Sequence, residues 1–357
     1  MERLQTPTLI IDKEKCINNI KRMYEKAINN NISFRPHFKT HQSAIVGDWF
    51  KEMGINQITV SSVDMAIYFA DNRWEDITIA FPANIHQYQE INQLSQRITL
   101  NIILDHIDTA SVLSERITTK TGVFIEIDID YHRSGICYTN LDYINKLLNI
   151  IEDSNYLEFK GFLTHTGNTY SAENKGEIIS IMNKASQVFE SLRKNYIQRF
   201  PDLITSYGDT PSCSIADSFQ EFDELRPGNF IYYDFMQQQL EACELEEIAV
   251  SVACPVVGKY PERNEIIIYG GAVHFSKENL YLDDAISYGY PYKIISHQND
   301  NEECLTHANL KALSQEHGTI RLSIEDMNKV NIGDIIFIYP IHSCLTADLI
   351  KDIMIIE

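Results

Sequence analysis

Ile32-Ser33-Phe34-Arg35-Pro36-His37-Phe38-Lys39-Thr40-His41 opens as an apolar strand and ends in a run of basic groups. A charged ammonium is costly to bury, so a lysine at the end of a buried strand is unusual. Desolvation and neighbouring cations, Arg35 with His37 and His41, would lower the pKa of Lys39 and expose a nucleophilic amine. Such an amine can form a Schiff base with an aldehyde cofactor. The plainer alternative is a strand-end lysine reaching out to water. This segment alone leaves both open.

Working outward, residues 32–38 read as the first of eight β-rich runs. The others are 57–61, 77–81, 98–104, 122–129, 158–165, 203–207 and 225–233. Helical patterns fall between them, among them 44–53, 65–72, 108–115, 141–152 and 177–196. Eight strands alternating with helices predict an α/β fold, a (β/α)8 barrel of TIM type, over residues 8–240. From 241 to 357 the chain is mostly strands, at 247–257, 265–275, 291–296, 318–322, 335–339 and 352–356. Turn residues separate most of them, which predicts a second, all-β domain. The N-terminal stretch 1–10, running into Thr8-Leu9-Ile10-Ile11, is a candidate additional strand of that domain.

The 357 residues are 44% hydrophobic and 22% charged, ordinary for a soluble enzyme. A formal net charge of −20 argues against nucleic acid and anionic membrane as partners. No apolar run is long enough to span a bilayer, and the N-terminus shows no signal-peptide core. Seven cysteines without a CxxC pair suit a reducing, cytoplasmic setting.

Barrels carry their chemistry at the C-terminal ends of their strands. Those ends are rich in polar groups here: Lys39, then Asp128–Gly135, Leu163–Tyr170, Ser206–Ser212 and Glu224–Asn229. Loop polarity accounts for any one of them; five on one rim point to a site. Gly208, Thr210 and Ser212, with Pro211 placed to open a helix, suit a phosphate group, and an ordinary helix cap is the alternative. Near the C-terminus His342 and Cys344 stand two apart, so in an extended segment both would point to one side. Imidazole with thiolate suits zinc, although catalytic zinc usually takes three protein ligands. A packed histidine beside a buried cysteine is the alternative.

Taken together these segments resemble the D-serine dehydratase/D-threonine aldolase family, which shares the alanine-racemase-like, fold-type III architecture of pyridoxal-phosphate enzymes. The matching pieces are Thr6-Pro7-Thr8-Leu9, Arg35–His41, Glu126–Gly135, His165-Thr166-Gly167 with Tyr170, Gly208–Ser212, Glu224–Asn229, Glu316-His317-Gly318 and Pro340–Thr346. The resemblance implies that Lys39 carries pyridoxal 5'-phosphate and that His165 lies against its ring. It places Arg133 near the phenolic oxygen and Tyr170 near the pyridine nitrogen. Gly208 and Thr210, with Tyr233, would hold the phosphate. His342 and Cys344 would bind a divalent metal, zinc by preference for the thiolate. A homodimer is implied as well.

The implied activity is a metal-assisted lyase reaction on D-configured β-hydroxy amino acids. Family dehydratases typically show His-x-Cys and its aldolases His-x-Asp, so Cys344 favours D-serine-type dehydration to keto acid and ammonia. The alternatives are D-threonine or 3-hydroxyaspartate aldol cleavage, then racemisation, then non-catalytic cofactor binding. The chain departs from the family at Tyr269-Gly270-Gly271 and at Ala347-Asp348-Leu349, which leaves substrate choice open.

Overall fold

Isoleucine, valine and threonine dominate the short runs of the first half of the chain, and β-branched side chains favour extended backbone. The computed structural model, which describes residues 4–282 and 284–357, pairs these runs in parallel. It divides into two compact units, Lys21–Gly228 and Met1–Ile20 with Asn229–Glu357.

In the unit Lys21–Gly228, eight parallel strands lie in the order Ser33–Phe34, Glu224–Leu225, Ile204–Tyr207, Leu157–Thr164, Thr121–Asp128, Thr99–Leu104, Asp76–Pro82 and Ile58–Val60. The ring closes where Phe38 N donates to Thr59 O at 2.8 Å and Thr59 N donates to Pro36 O at 2.9 Å. Helices follow most strands, and their starts are fixed by side-chain caps: Ser43, Ser62, Asn140 and Asn174 each accept a hydrogen bond from the first turn. Among the described residues, no helix is long and apolar enough to cross a membrane.

A chain of charge runs through this barrel. Arg35 donates through Nε to Glu224 Oε2 at 2.6 Å and through Nη1 to Asp76 at 2.5 Å. Ser206 Oγ donates to Glu224 Oε1 and accepts from Arg226 Nε, both at 2.6 Å. Arg226 Nη2 reaches Thr164 O at 2.7 Å. Arg35, Glu224, Ser206 and Arg226 are all buried. Burial opposes the charge on Arg35, yet Glu224 and Asp76 more than offset it and hold its pKa above the ordinary value.

In the other unit the sheet order is Glu302–Cys304, Gly289–Ile295, Ile335–Pro340, Val250–Tyr260, Glu265–Tyr269, His317–Leu322 and Ala308–Leu313, all antiparallel. The strand Thr8–Asp12 pairs antiparallel with Val250–Tyr260 and parallel with Ile353–Ile356.

Several expected elements change. The run 225–233 is a strand only at Glu224–Leu225, because Pro227 has no N–H to give a ladder and Asn229–Ile231 turns into a 3-10 helix. The run 265–275 stops at Tyr269. Gly270-Gly271 then passes so close to its neighbours that a Cβ on Gly271 would lie 2.3 Å from Gln315 O, and Ala272–Phe275 is helical. The helix Lys13–Asn29 escapes the sequence reading, although Cys16, Ile20, Met23 and Ala27 form its buried stripe at helical spacing. Residues 229–240 fall in the same unit as the C-terminal strands, whereas the sequence boundary stood at 240.

Removing one member of the buried ion chain strands the rest. Glu224→Ala should cost about 3–5 kcal/mol of folding free energy, the usual result of leaving a buried charge unpaired. Urea unfolding followed by circular dichroism measures it; a loss well under 1 kcal/mol would mean that Arg35 and Arg226 find other partners.

Candidate active site

The barrel's strand ends gather a cluster of bases. Lys39 is half-buried in the turn after Ser33–Phe34. His37 and His165 are both held well below the ordinary histidine pKa, first by burial, then by Lys39 and by the Arg226 and Arg133 guanidiniums. Both imidazoles are therefore neutral at pH 7. Their tautomers follow from their partners. His165 Nδ1 lies 2.6 Å from Gly208 O, and a carbonyl only accepts, so Nδ1 carries the proton and Nε2 keeps its lone pair. His37 Nδ1 accepts from Lys39 N at 3.3 Å, so its proton sits on Nε2. His41 repeats that turn with Ser43 N at 3.1 Å; burial pushes it down to about 3, and it packs against Phe38 rather than acting as a cation beside Lys39.

The loop that presents Arg133 is built on Asp128, whose Oδ1 accepts from Tyr131 N and His132 N, each at 2.9 Å. Asp130 and His132 both take left-handed φ, 61° and 58°, as a tight polar loop requires. Arg133 stays half exposed, 3.8 Å from Glu126, which burial pushes above the usual carboxylate range. The Tyr131 ring leaves no room for a side chain at Gly167: a Cβ there would sit 2.3 Å from it.

Gly208–Ser212 forms a cradle. Asp209 caps the helix Thr210–Ile215 through a 2.7 Å bond from Ser212 N, and Pro211 lies in the first turn. Thr166 Oγ1 donates to Asp209 Oδ2 at 2.7 Å and Tyr207 OH donates to Ser212. Burial lifts the Asp209 pKa, while these donors oppose the rise. At the helix's far end Lys26 Nζ binds the carbonyls of Ser214, Ala216 and Cys213 at 2.6, 2.9 and 3.2 Å. A Cβ at Gly208 would lie 2.9 Å from the backbone of Arg226, which keeps this position bare. Thr210 is fully buried, yet its hydroxyl has no partner among the described residues, and its N–H reaches only Tyr170 OH, at 3.4 Å. An unmet donor beside a cluster of cations fits an anionic, aldehyde-bearing cofactor, with Lys39 as the amine.

The second unit holds the other donors. His342 caps the helix Ser343–Leu349, and Cys344 lies in its first turn, so the segment is not extended as the two-residue spacing suggested. The side chains meet all the same. Burial opposes charge on His342, but the Cys344 sulfur hydrogen-bonds it and, with Asp234, raises its pKa to about 9. A nitrogen and a soft sulfur side by side fit two corners of a divalent-metal site. Among the described residues, no group of three or more His, Cys, Asp or Glu gathers to complete a set. Tyr233 belongs to this unit and is buried, with φ at 48°.

Sequence reasoning took His37 only as a cation near Lys39, named Arg226 and Asn229 only within a polar strand end, and passed over Asp234. Arg226 had a signal, a charge directly after a buried strand. Asp234 had none, because its partner Ser343 is 109 residues away.

Comparison with known proteins agrees with this architecture. Residues 11–235 match the family model "Alanine racemase, N-terminal domain", and residues 249–356 match "Putative serine dehydratase domain". The D-serine dehydratase of Dictyostelium discoideum is 30% identical, with 100% of this chain and 94% of that protein covered. The D-threo-3-hydroxyaspartate dehydratase of Delftia sp. HT23 is 25% identical over 96% of this chain and 92% of its own length. Its solved structure superimposes with a TM-score of 0.89, covering 99% and 95% of the two chains. The D-threonine aldolase of Arthrobacter sp. is 21% identical over 100% of this chain and 90% of that one. The chain belongs to the D-serine dehydratase family of the alanine-racemase-like fold, a family of pyridoxal-phosphate-dependent lyases.

Proposed function

We propose that the protein is a metal-assisted lyase that eliminates water from a D-configured β-hydroxy amino acid, with D-serine as the first candidate, giving keto acid and ammonia. The observation that carries the choice is the bonded pair His342 and Cys344, an N,S donor set suited to a soft divalent ion such as zinc. The 30% identity to a D-serine dehydratase over the whole chain supports it.

Lys39 would hold pyridoxal phosphate as a Schiff base, with Thr210 and the Gly208 loop at the phosphate and Arg133, His165 and Tyr170 around the ring. Bound there, the cofactor supplies an electron sink for the pair released at Cα. His342 and Cys344 would hold the metal, which supplies Lewis acidity for a departing hydroxide. The chain's own residues do the rest. Once the substrate's amino group has displaced it, the freed Lys39 amine would take the Cα proton. Neutral His165 donates its one N–H as a hydrogen bond to Gly208 O and so brings no charge to the ring. Arg133 and Arg226 favour anionic groups nearby. Aldol cleavage would use the same donors but break Cα–Cβ, giving glycine and an aldehyde.

Two outcomes are expected. Incubated with D-serine, D-threonine and 3-hydroxy-D-aspartate, the holoenzyme should release keto acid and ammonia, with D-serine among the substrates turned over; glycine plus aldehyde as the main products would favour the aldolase instead. Chelation, or His342→Ala, should remove bound zinc and lower turnover at least 100-fold, the scale of losing one main source of transition-state charge stabilisation. The cofactor's visible absorbance should persist. Full activity in metal-free protein would contradict the metal's role.

A further inference from the structure

Two turns of the β unit meet at one buried carboxylate. Residues 229–234 fold back on themselves: Tyr233 N and Tyr232 N donate to Asn229 O at 2.8 and 3.0 Å. Tyr233 takes a left-handed φ of 48°, a strained state for a bulky residue. That turn brings the side chains of Asn229 and Asp234 together. Asp234 is fully buried. Its Oδ1 caps the helix Phe235–Gln239 through Gln237 N at 3.0 Å. Its Oδ2 faces the other turn, accepting from Ser343 N at 2.9 Å, from Ser343 Oγ at 3.2 Å and from Asn229 Nδ2 at 2.6 Å.

Asn229 Nδ2 also faces Ser343 Oγ at 3.0 Å and Cys344 Sγ at 3.5 Å. The orientation of this amide is not free. Reversed, its oxygen would face the Asp234 carboxylate. As a result Asn229 Oδ1 is buried with no partner among the described residues. An unmet buried carbonyl is unfavourable. Packing alone would be served better by an apolar residue at 229, and the helix cap needs only Asp234 Oδ1.

We propose that Asn229 and Asp234 are positioning residues that set the metal affinity of His342 and Cys344 without touching the metal. Asp234 pins the backbone and hydroxyl of Ser343, the residue between the two donors. Asn229 donates to the cysteine sulfur, which steadies a thiolate and directs its remaining lone pairs. The buried carboxylate adds a fixed negative charge behind the pair, favourable to a dication. Residues of this kind typically change metal affinity 10- to 100-fold when altered. The inference rests on the proposed metal site at His342 and Cys344.

The test uses holoenzyme stripped of metal, with zinc titrated against a chromophoric chelator. Cobalt(II) is added in parallel to read the thiolate-to-cobalt charge-transfer band. Asn229→Ala should weaken zinc about 10- to 100-fold and shift or weaken the cobalt band, with circular dichroism and cofactor absorbance unchanged. Ser343→Ala keeps the backbone bond to Asp234 and should weaken zinc by less; it stands in if Asn229→Ala does not fold. Zinc affinity and cobalt band equal to wild type in the folded variants overturn the inference and leave the metal reading intact. A wild-type protein that binds neither ion overturns both.

Discussion

An arginine inside a barrel needs a counter-charge, and Glu224 supplies it twice over. One oxygen takes Arg35 directly; the other reaches Arg226 through Ser206. That chain fixes Arg226 beneath the rim, where it also binds Thr164 O. Burial first, and then the field that Arg226 creates with Lys39 and Arg133, keeps His37 and His165 neutral. A rim with fixed cations, neutral imidazoles and an unmet threonine hydroxyl suits an anion. The same buried charges that tie the barrel strands together therefore define what the barrel can hold. A barrel interior of leucine and isoleucine would be simpler to stabilise, but it would carry no field to its rim.

The β unit solves a different problem, that of keeping an imidazole and a thiol in contact. His342 lies two residues past the strand Ile335–Pro340, at the N-cap of the helix Ser343–Leu349, and Cys344 lies in that helix's first turn, so the change from strand to helix does the aiming. Ser343 is the pivot, held at its N–H and hydroxyl by Asp234. The strained Tyr233 next to Asp234 shows the backbone bent to deliver that carboxylate.

Much of this was legible in the sequence. β-branched runs alternating with amphipathic ones marked the barrel, and the polar strand ends marked its rim. Pro211 announced the helix Thr210–Ile215. Other features were hidden because they depend on partners distant in sequence. Arg35 looked like a cation acting on Lys39, yet its partners are Glu224 and Asp76. His41 looked like another, yet it is buried against Phe38 and uncharged. Gly208 also lies against the backbone of Arg226, a neighbour 18 residues on that the sequence did not announce. Helix Lys13–Asn29 hid behind its charges, its apolar stripe only one residue wide per turn.

The central claim is that Lys39 is the amine that holds the cofactor. Borohydride reduction of the holoenzyme, followed by proteolysis and mass spectrometry, tests it most directly. The expected result is a pyridoxyl group on the peptide carrying Lys39, with the cofactor's visible band lost and no label in Lys39→Ala. A label on any other lysine, or a reduced protein carrying none, would contradict the account.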